Sequence, residues 1–439
     1  MADETTGAPV DAAPGKASSG AEAAFGNPEP ELGVTPYVHV VIVSLVGTIA
    51  VMAWLWVFVV GSKLLWQNDF VKSNPWMFPI ICMPLSLLVG LLVKYRHAPT
   101  TLNDSMLSSL SGDVSKIDPR TLPVNVLMAW ASLFSGAVLG PEGGIGGISS
   151  KVATLYADVF RIPAALRRRL VFSTIGAAYN GLVANPLFTG VLATEVIPET
   201  TGRMATLPAN LIGGAIGFLV FSAAGLTGLQ NYLHLSPSQP FTAVDVIAAV
   251  ACGILGLLLA AIGAALFGIS ARLFGRFNDR EVVRALIAGA IFSVVGMAAP
   301  ILMFSGEDQI NSVASGAAGY GVALLLLMAV VKLSLLAVSF KSGFLGGPTF
   351  PAIFASVCVA EALGLLLPGI RVDVLIGGVM AGQLLALFRA PFMVILLTAV
   401  MLGASPDLIA MITVSVAAVM IVQPVLQQAR QARPAARAT

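Results

Sequence analysis

A glutamate among glycines and a proline is the residue of this chain best placed to do chemistry. Glu142 lies in the first motif, Gly140-Pro141-Glu142-Gly143, between an apolar run and a new helical pattern. Pro141 suits the first turn of a helix, and glycine lets the backbone approach a ligand closely. The start of a helix presents unpaired N–H groups and about half a positive charge, which together attract anions.

The carboxylate of Glu142 would compete with an anion for those N–H groups. Protonation would neutralise the carboxylate and free the donors, so one residue could be both a gate and a proton carrier. An ionised carboxylate at membrane depth costs about 2.5 kcal/mol or more, unless a helix end or a watery path supports it. The alternative is that Glu142 is simply a helix-capping glutamate in a loop.

A second motif, Gly346-Gly347-Pro348-Thr349-Phe350-Pro351, repeats this arrangement without the acid and begins 206 residues after the first. A further pair of similar segments, Ala184-Asn185-Pro186 and Arg389-Ala390-Pro391, has its prolines 205 residues apart. Two motifs that share nearly one offset indicate an internal repeat. Taken alone, the second motif is also consistent with an ordinary Gly-Pro turn.

The elements that must position these motifs are membrane helices. The chain is 57% hydrophobic and only 10% charged, whereas soluble domains carry about 25% charged residues. Several of the apolar runs are too short to span a membrane or contain Pro and Gly, which predicts tilted and broken helices. The runs are Val38–Val60, Pro75–Val93, Pro123–Leu139, Val171–Ala193, Leu207–Leu226, Val244–Ile269, Ala285–Phe304, Gly319–Phe340, Phe350–Leu367, Val374–Leu402 and Leu408–Val422.

Basic residues between the runs predict the orientation. They cluster at 94–97, 161–169, 272–284 and 430–437, and the positive-inside rule assigns these clusters and both termini to the cytoplasm. Within the first half, the loop between its two motifs is strongly basic, from Arg161 to Arg169, whereas the corresponding loop of the second half holds only Arg371 and Asp373. This asymmetry predicts inverted repeats, with the site near the midplane.

Other polar residues within apolar runs carry less weight. For Glu195, Glu361 and Lys332, packing or pairing at a helix end is the more typical role, and Lys332 could snorkel or pair with an acid. The three histidines and the three cysteines show no metal-ligand spacing. We therefore predict no metal and no catalytic residue.

The combination of motifs resembles the CLC chloride channel and transporter family. The first motif is similar to the family's Gly-Arg-Glu-Gly-Pro, in which the glutamate is the external gate. The segment from Lys341 to Pro351 looks like the later Ser-Gly-x-x-Gly and Gly-x-Phe-x-Pro motifs. Arg389-Ala390-Pro391 and Asn185-Pro186 resemble two further helix starts of the family.

Several positions depart from the family pattern. The early Gly-Ser-Gly-Ile-Pro motif is missing, and Asn103, Asp104 or Ser105 could replace its chloride-coordinating serine. Leu426 stands where the family has a chloride-coordinating tyrosine. In the motifs themselves, Pro141 replaces an arginine and Thr349 replaces a phenylalanine.

A further departure concerns protons. Val196, next to Glu195, aligns with the glutamate that transfers protons on the inner side of exchangers. An apolar residue at this position is a feature of the family members that act as channels.

The resemblance implies an all-α integral membrane protein with a CLC-like inverted repeat of tilted and broken helices, assembled as a homodimer. We expect a disordered cytoplasmic tail at 1–35, membrane repeats at 36–230 and 231–428, and a basic cytoplasmic tail at 429–439. The bacterial inner membrane is the expected location, with both termini in the cytoplasm.

The expected function is transport of a small inorganic anion, chloride by default, gated by Glu142 and channel-like or weakly proton-coupled. Bound chloride is the only ligand expected, and neither a cofactor nor nucleic acid is predicted. A proton-coupled anion antiporter and a non-conducting membrane scaffold remain alternatives. An intramembrane enzyme would need a nucleophile with a base, and the sequence contains no Gly-x-Ser-x-Gly with a helical histidine.

Overall fold

The computed structural model describes residues 35–100, 117–195, 203–226, 232–233, 240 and 242–435. These residues form fifteen α-helices and two short 3₁₀ turns, Pro119–Thr121 and Pro300–Leu302. The α-helices are α1 Thr35–Trp66, α2 Asp69–Ser73, α3 Met77–Arg96, α4 Leu122–Phe134, α5 Glu142–Val159, α6 Ala164–Val183, α7 Pro186–Glu195, α8 Arg203–Ala223, α9 Ala243–Gly275, α10 Glu281–Ala298, α11 Glu307–Lys341, α12 Thr349–Leu366, α13 Val372–Phe388, α14 Pro391–Leu402 and α15 Pro406–Ala435.

Eight of the described helices are long and apolar enough to cross a membrane. Helices α1, α9 and α11 contain 32, 33 and 35 residues, well beyond the roughly 20 that a straight span needs. Such helices fit a bilayer by tilting or kinking, and α11 kinks at Gly321. The chain is therefore a multi-pass membrane protein of the all-α class, as its composition predicts.

Two of the predicted apolar runs are each broken into two helices. Helix α6 ends at Ala184 and α13 at Arg389, both in the left-handed conformation, with φ of 46° and 56°. Pro186 and Pro391 then begin α7 and α14. A proline ring fits the first turn of a helix but not its interior, so the chain restarts at these points.

Some elements differ from the sequence expectation. Helix α5 escapes the search for apolar runs because glycine, serine and lysine dilute its apolar residues. Helix α15 continues to Ala435, so part of the expected tail at 429–439 is helical. Residues 1–34, 101–116 and 196–202 lie outside the described residues, as do the expectations that fall on them.

The helix packing pattern occurs twice. In the first half, α6 packs on α1, α5 and α8, and α4 packs on α5. In the second half, α13 packs on α9, α12 and α15, and α11 packs on α12. Helix α3 packs on α10, and α7 packs on α14, and each of these pairs joins corresponding helices of the two halves. This order of contacts supports two repeats of like topology.

The starts of α13 and α15 are tied together by Arg371. Its guanidinium donates to Asp373 at 2.6 Å and to Asp407 at 2.8 Å, and the three side chains are only 9–28% exposed. The hydrogen bonds to Asp373 contribute most to raising the pKa of Arg371 above its usual value. The arginine therefore remains charged and holds two carboxylates that would otherwise repel each other.

We expect Arg371→Gln to lower stability by about 2 kcal/mol, because it leaves partly buried carboxylates without their charged partner. The measurement is the thermal melting temperature of the purified protein in detergent. Arg167→Gln is the matched control, since Arg167 and Asp158 form a pair with 32% and 44% exposed side chains. An exposed pair contributes at most about 1 kcal/mol. Equal melting temperatures for the two variants would contradict this role of Arg371.

Candidate functional site

The two motifs meet through the backbone. Gly140 and Gly347 form an antiparallel bridge, with N–H to carbonyl distances of 2.8 and 2.9 Å. The bridge brings the loop before α5 against the loop before α12, so the first turns of these two helices lie together at the centre of the described fold.

Two side-chain hydrogen bonds also join the segments that precede the two motifs. Ser339 Oγ accepts from the backbone N–H of Val138 at 3.0 Å, and Ser132 Oγ accepts from the N–H of Leu345 at 2.9 Å. Each of these residues is related to its counterpart by an offset of 207. The structural register is therefore one residue longer than the 206 read from the starts of the two motifs. In this register Glu142 corresponds to Thr349.

Glycine is required where the motifs touch. Gly136 and Gly343, which are 207 residues apart, have φ of 86° and 93°, a conformation that side chains strongly disfavour. A Cβ on Gly140 or Gly347 would lie 2.0 or 2.2 Å from Glu142 Oε2. Both bridge glycines thus leave the space that the carboxylate occupies.

The Glu142 side chain is buried, with only 4% of its surface exposed. Glu142 is the first residue of α5, but its Oε1 accepts a hydrogen bond from the N–H of Thr349, at 3.1 Å, which begins α12. The Oε2 atom has no hydrogen-bond partner among the described residues. The carboxylate therefore occupies the positively polarised end of the helix that corresponds to its own helix in the other repeat.

The remaining motif residues support this arrangement. Pro141 and Pro348 are the N-cap residues of α5 and α12, and a Cβ on Gly143 would lie 3.0 Å from the Cα of Gly346. Phe350 and Pro351 are buried in the first turn of α12. All nine residues that the sequence assigned to anion-binding helix ends thus lie in the two paired loops or in the first turns of α5 and α12.

Other predicted positions lie elsewhere. Asn103, Asp104, Ser105 and Val196 fall outside the described residues. Leu426 lies within helix α15 and is 43% exposed. Its environment thus differs from that of the buried Glu142 carboxylate.

Glu195 caps a helix end. Its two carboxylate oxygens accept from the backbone N–H groups of Phe392, at 3.2 Å, and Met393, at 2.7 Å. These N–H groups belong to the first turn of α14, which has no intrahelical partners for them. A carboxylate from the first repeat thus meets a helix N-terminus of the second repeat, as at Glu142.

Lys332 is fully buried, and among the described residues it neither snorkels nor pairs with an acid. Its Nζ donates to the carbonyls of Leu302, Met303 and Phe304 at 3.0–3.2 Å and lies 4.6 Å from the centre of the Phe354 ring. These carbonyls come from the turn between α10 and α11, so the lysine joins that turn to α11.

A second buried lysine was missed by sequence reasoning. Lys151 on α5 donates from Nζ to Asn125 Oδ1 on α4, at 3.1 Å. In the 207-residue register, Asn125 corresponds to Lys332 and Lys151 corresponds to Cys358. Each repeat therefore holds one buried lysine at the same helix pair, but on opposite members of the pair. The signal was available in the sequence, but only with the correct register.

A cavity of about 490 Å³ opens beside the first motif, and we call it the Glu307 cavity. Leu139, which precedes Gly140, lines it together with Lys63, Lys72, Glu307 and Asp308. A largely apolar cavity with four charged residues in its lining thus lies against the residue that precedes the first motif.

Fold and site together define a class of protein: a multi-pass membrane protein in which two helix N-termini meet and one of them donates to a buried carboxylate. A model of the voltage gated chloride channel family matches residues 85–423. The chain belongs to this family.

Individual relatives agree with this assignment. The H⁺/Cl⁻ exchange transporter ClcA of Vibrio vulnificus is 24% identical over 429 residues, which cover 89% of this chain and 88% of the relative. A slow cyanobacterial Cl⁻/H⁺ antiporter has a similar structure, with a TM-score of 0.72, 18% identity and coverage of 90% and 95% of the two chains. A CLC-type fluoride/proton antiporter gives a TM-score of 0.66 at 16% identity, with coverage of 89% and 94%. The two structures show that the fold is shared.

Proposed function

We propose that this chain moves a small inorganic anion across the membrane, past the paired motifs, with Glu142 as the gate. The observation that carries the proposal is the hydrogen bond from the N–H of Thr349 to Glu142 Oε1. A helix N-terminus that holds a carboxylate can hold an inorganic anion by the same donors and dipole. Departure of the carboxylate would therefore open the place that the anion takes.

Chloride is the proposed ion, bound where the Glu142 carboxylate now lies. The exchange of H⁺ and Cl⁻ by the ClcA relative supports chloride, and the fluoride/proton antiporter of similar fold makes fluoride the natural competitor. The positions that would coordinate chloride by family resemblance are altered in this chain, so selectivity must be measured.

The test is efflux of anions from lipid vesicles that contain the purified protein. Chloride, fluoride and gluconate are loaded in parallel, and ion-selective electrodes or light scattering report their release. We expect chloride to leave much faster than gluconate, because the space between the motif backbones suits a small ion. Release no faster than from protein-free vesicles would instead favour a non-conducting scaffold.

The path is channel-like or weakly proton-coupled in our proposal, because position 196 is valine. A proton-coupled antiporter is the second candidate, and the names of the relatives favour it. We expect a chloride gradient to drive little proton movement, which a pH electrode outside weakly buffered vesicles measures. Uphill proton movement in a fixed ratio to chloride would support the antiporter and contradict the channel-like reading.

The arrangement in the membrane is also a proposal. Repeats at 36–230 and 231–428 are supported by the duplicated helix contacts. The basic residues near 161–169 and 272–284 support a cytoplasmic position for those loops and for both termini. The family resemblance supports a homodimer in the bacterial inner membrane.

A further inference from the structure

A second cavity lies at the other end of the membrane helices from the Glu307 cavity. It has a volume of about 280 Å³, and we call it the Arg284 cavity. Its lining includes four residues with polar side chains and one glycine: Thr100, Asn278, Arg284, Lys341 and Gly343. Arg284 lies near the start of α10, whereas the Glu307 cavity is lined by residues just beyond its end. Since α10 has 18 residues, it separates the cavities by about 27 Å, close to the thickness of the hydrocarbon core.

The two cavities have corresponding places in the two repeats. Leu133 lines the Glu307 cavity, and Phe340, which is 207 residues later, lines the Arg284 cavity. Gly343 follows in the loop that leads to the bridge at Gly347. One cavity therefore lies against the loop that leads to the first motif, and the other lies against the loop that leads to the second.

The charges of the two cavities differ. The Glu307 cavity has two lysines and two acids in its lining. The described residues that line the Arg284 cavity include two cations, Arg284 and Lys341, and no acid. The nearby acid Glu281 lies about one turn earlier on the same helix and is not among those lining residues.

One nitrogen of the Arg284 guanidinium lacks a hydrogen-bond partner among the described residues. Its Nε atom is buried and has no hydrogen-bond partner in the described part of the chain. A Cβ on Gly343 would lie 3.1 Å from Arg284 Nη2. Because Gly343 has no side chain, the guanidinium can lie against the backbone of the loop that leads to the second motif. A guanidinium with a free, desolvated N–H group is a strong donor to an anion.

We infer that the Arg284 cavity binds the transported anion and loads it into the path on the side opposite Glu142, with Arg284 as the main contact. The inference rests on the proposed function. The small volume fits an inorganic anion, and Lys341 adds attraction at the exposed rim. An anionic phosphate, from solution or from a lipid headgroup, has the same chemistry and is distinguished by experiment.

The test compares Arg284→Gln with Arg276→Gln, an exposed arginine outside the lining that loses the same charge. Initial chloride efflux is measured over a series of chloride concentrations in vesicles of neutral phosphatidylcholine. Gluconate replaces chloride so that ionic strength and screening stay constant. For Arg284→Gln we expect the half-saturating chloride concentration to rise about fivefold with little change in maximal rate. Arg276→Gln should match the wild type, and Arg284→Lys should lie between.

Each outcome decides the inference. Identical half-saturation in the Arg284→Gln and Arg276→Gln variants would overturn it while leaving anion transport intact. Absence of chloride efflux in the wild type would overturn the proposed function itself. A shift that appears only when anionic lipid is included, or that added phosphate alone produces, would assign the cavity to phosphate and overturn the inference. If Arg284→Gln fails to fold, Lys341→Gln at the exposed rim must raise the half-saturating chloride concentration for the inference to stand.

Discussion

Glu142→Gln is expected to abolish the pH dependence of anion flux. Glutamine keeps the size of the side chain but carries no charge, so the N–H of Thr349 and the dipole of α12 no longer attract it as they attract a carboxylate. In the wild type, we expect protonation at low pH to release the carboxylate and so to raise the flux. Well above the pKa of a single carboxyl group, its protonated fraction changes about tenfold per pH unit. The variant should instead show one high rate from acid to neutral pH.

The control for this variant is Glu195→Gln, which neutralises a carboxylate that caps α14. Glu195→Gln should keep the wild-type pH profile if the gate is Glu142. A Glu142→Gln protein that retains the full wild-type profile would show that another group controls the path.

Gly347→Ala is expected to open the gate without removing its carboxylate. The new methyl group would lie 2.2 Å from Glu142 Oε2 and 2.3 Å from its Cδ, far inside van der Waals contact. Because the methyl group would also lie 2.7 Å from the Cβ of Glu142, the whole Glu142 side chain has to shift, and it gives up the hydrogen bond to Thr349. A hydrogen bond to a charged group contributes about 1.5–3 kcal/mol. Flux at neutral pH should therefore rise about tenfold.

Two comparisons separate this steric effect from general damage. Gly268→Ala adds the same methyl group on α9, where no atom lies within 4 Å, and should leave flux unchanged. In the Glu142→Gln background, Gly347→Ala should add little, since no carboxylate remains to be displaced. A loss of flux in Gly347→Ala alone would mean that the methyl group blocks the ion path and not the gate.

The fold class and the residues around the gate could be predicted from the sequence because both have strong local signals. Low charge content indicates lipid exposure, and Pro141 and Pro348 mark helix starts by a simple steric rule. The partner of the carboxylate could not be predicted in the same way. The pairing of Glu142 with Thr349 depends on a register of 207, and the sequence motifs alone suggest 206 or 205.

The buried cations show a second limit of sequence reasoning. Lys332 was considered as a snorkelling residue or as a partner of an acid, yet it binds three carbonyls of a turn that precedes its own helix. Arg284 was counted only as part of a basic cluster that predicts orientation. Its special position becomes visible when Gly343 and Lys341, far away in sequence, are brought to the same cavity.

The measurement that tests the central claim most directly is chloride efflux from vesicles containing the wild-type protein, recorded over a series of pH values. Because protonation would release the Glu142 carboxylate from the N–H of Thr349, the predicted result is a chloride efflux that rises steadily as the pH falls. Chloride efflux that is equally fast at every pH would contradict a path gated by this carboxylate.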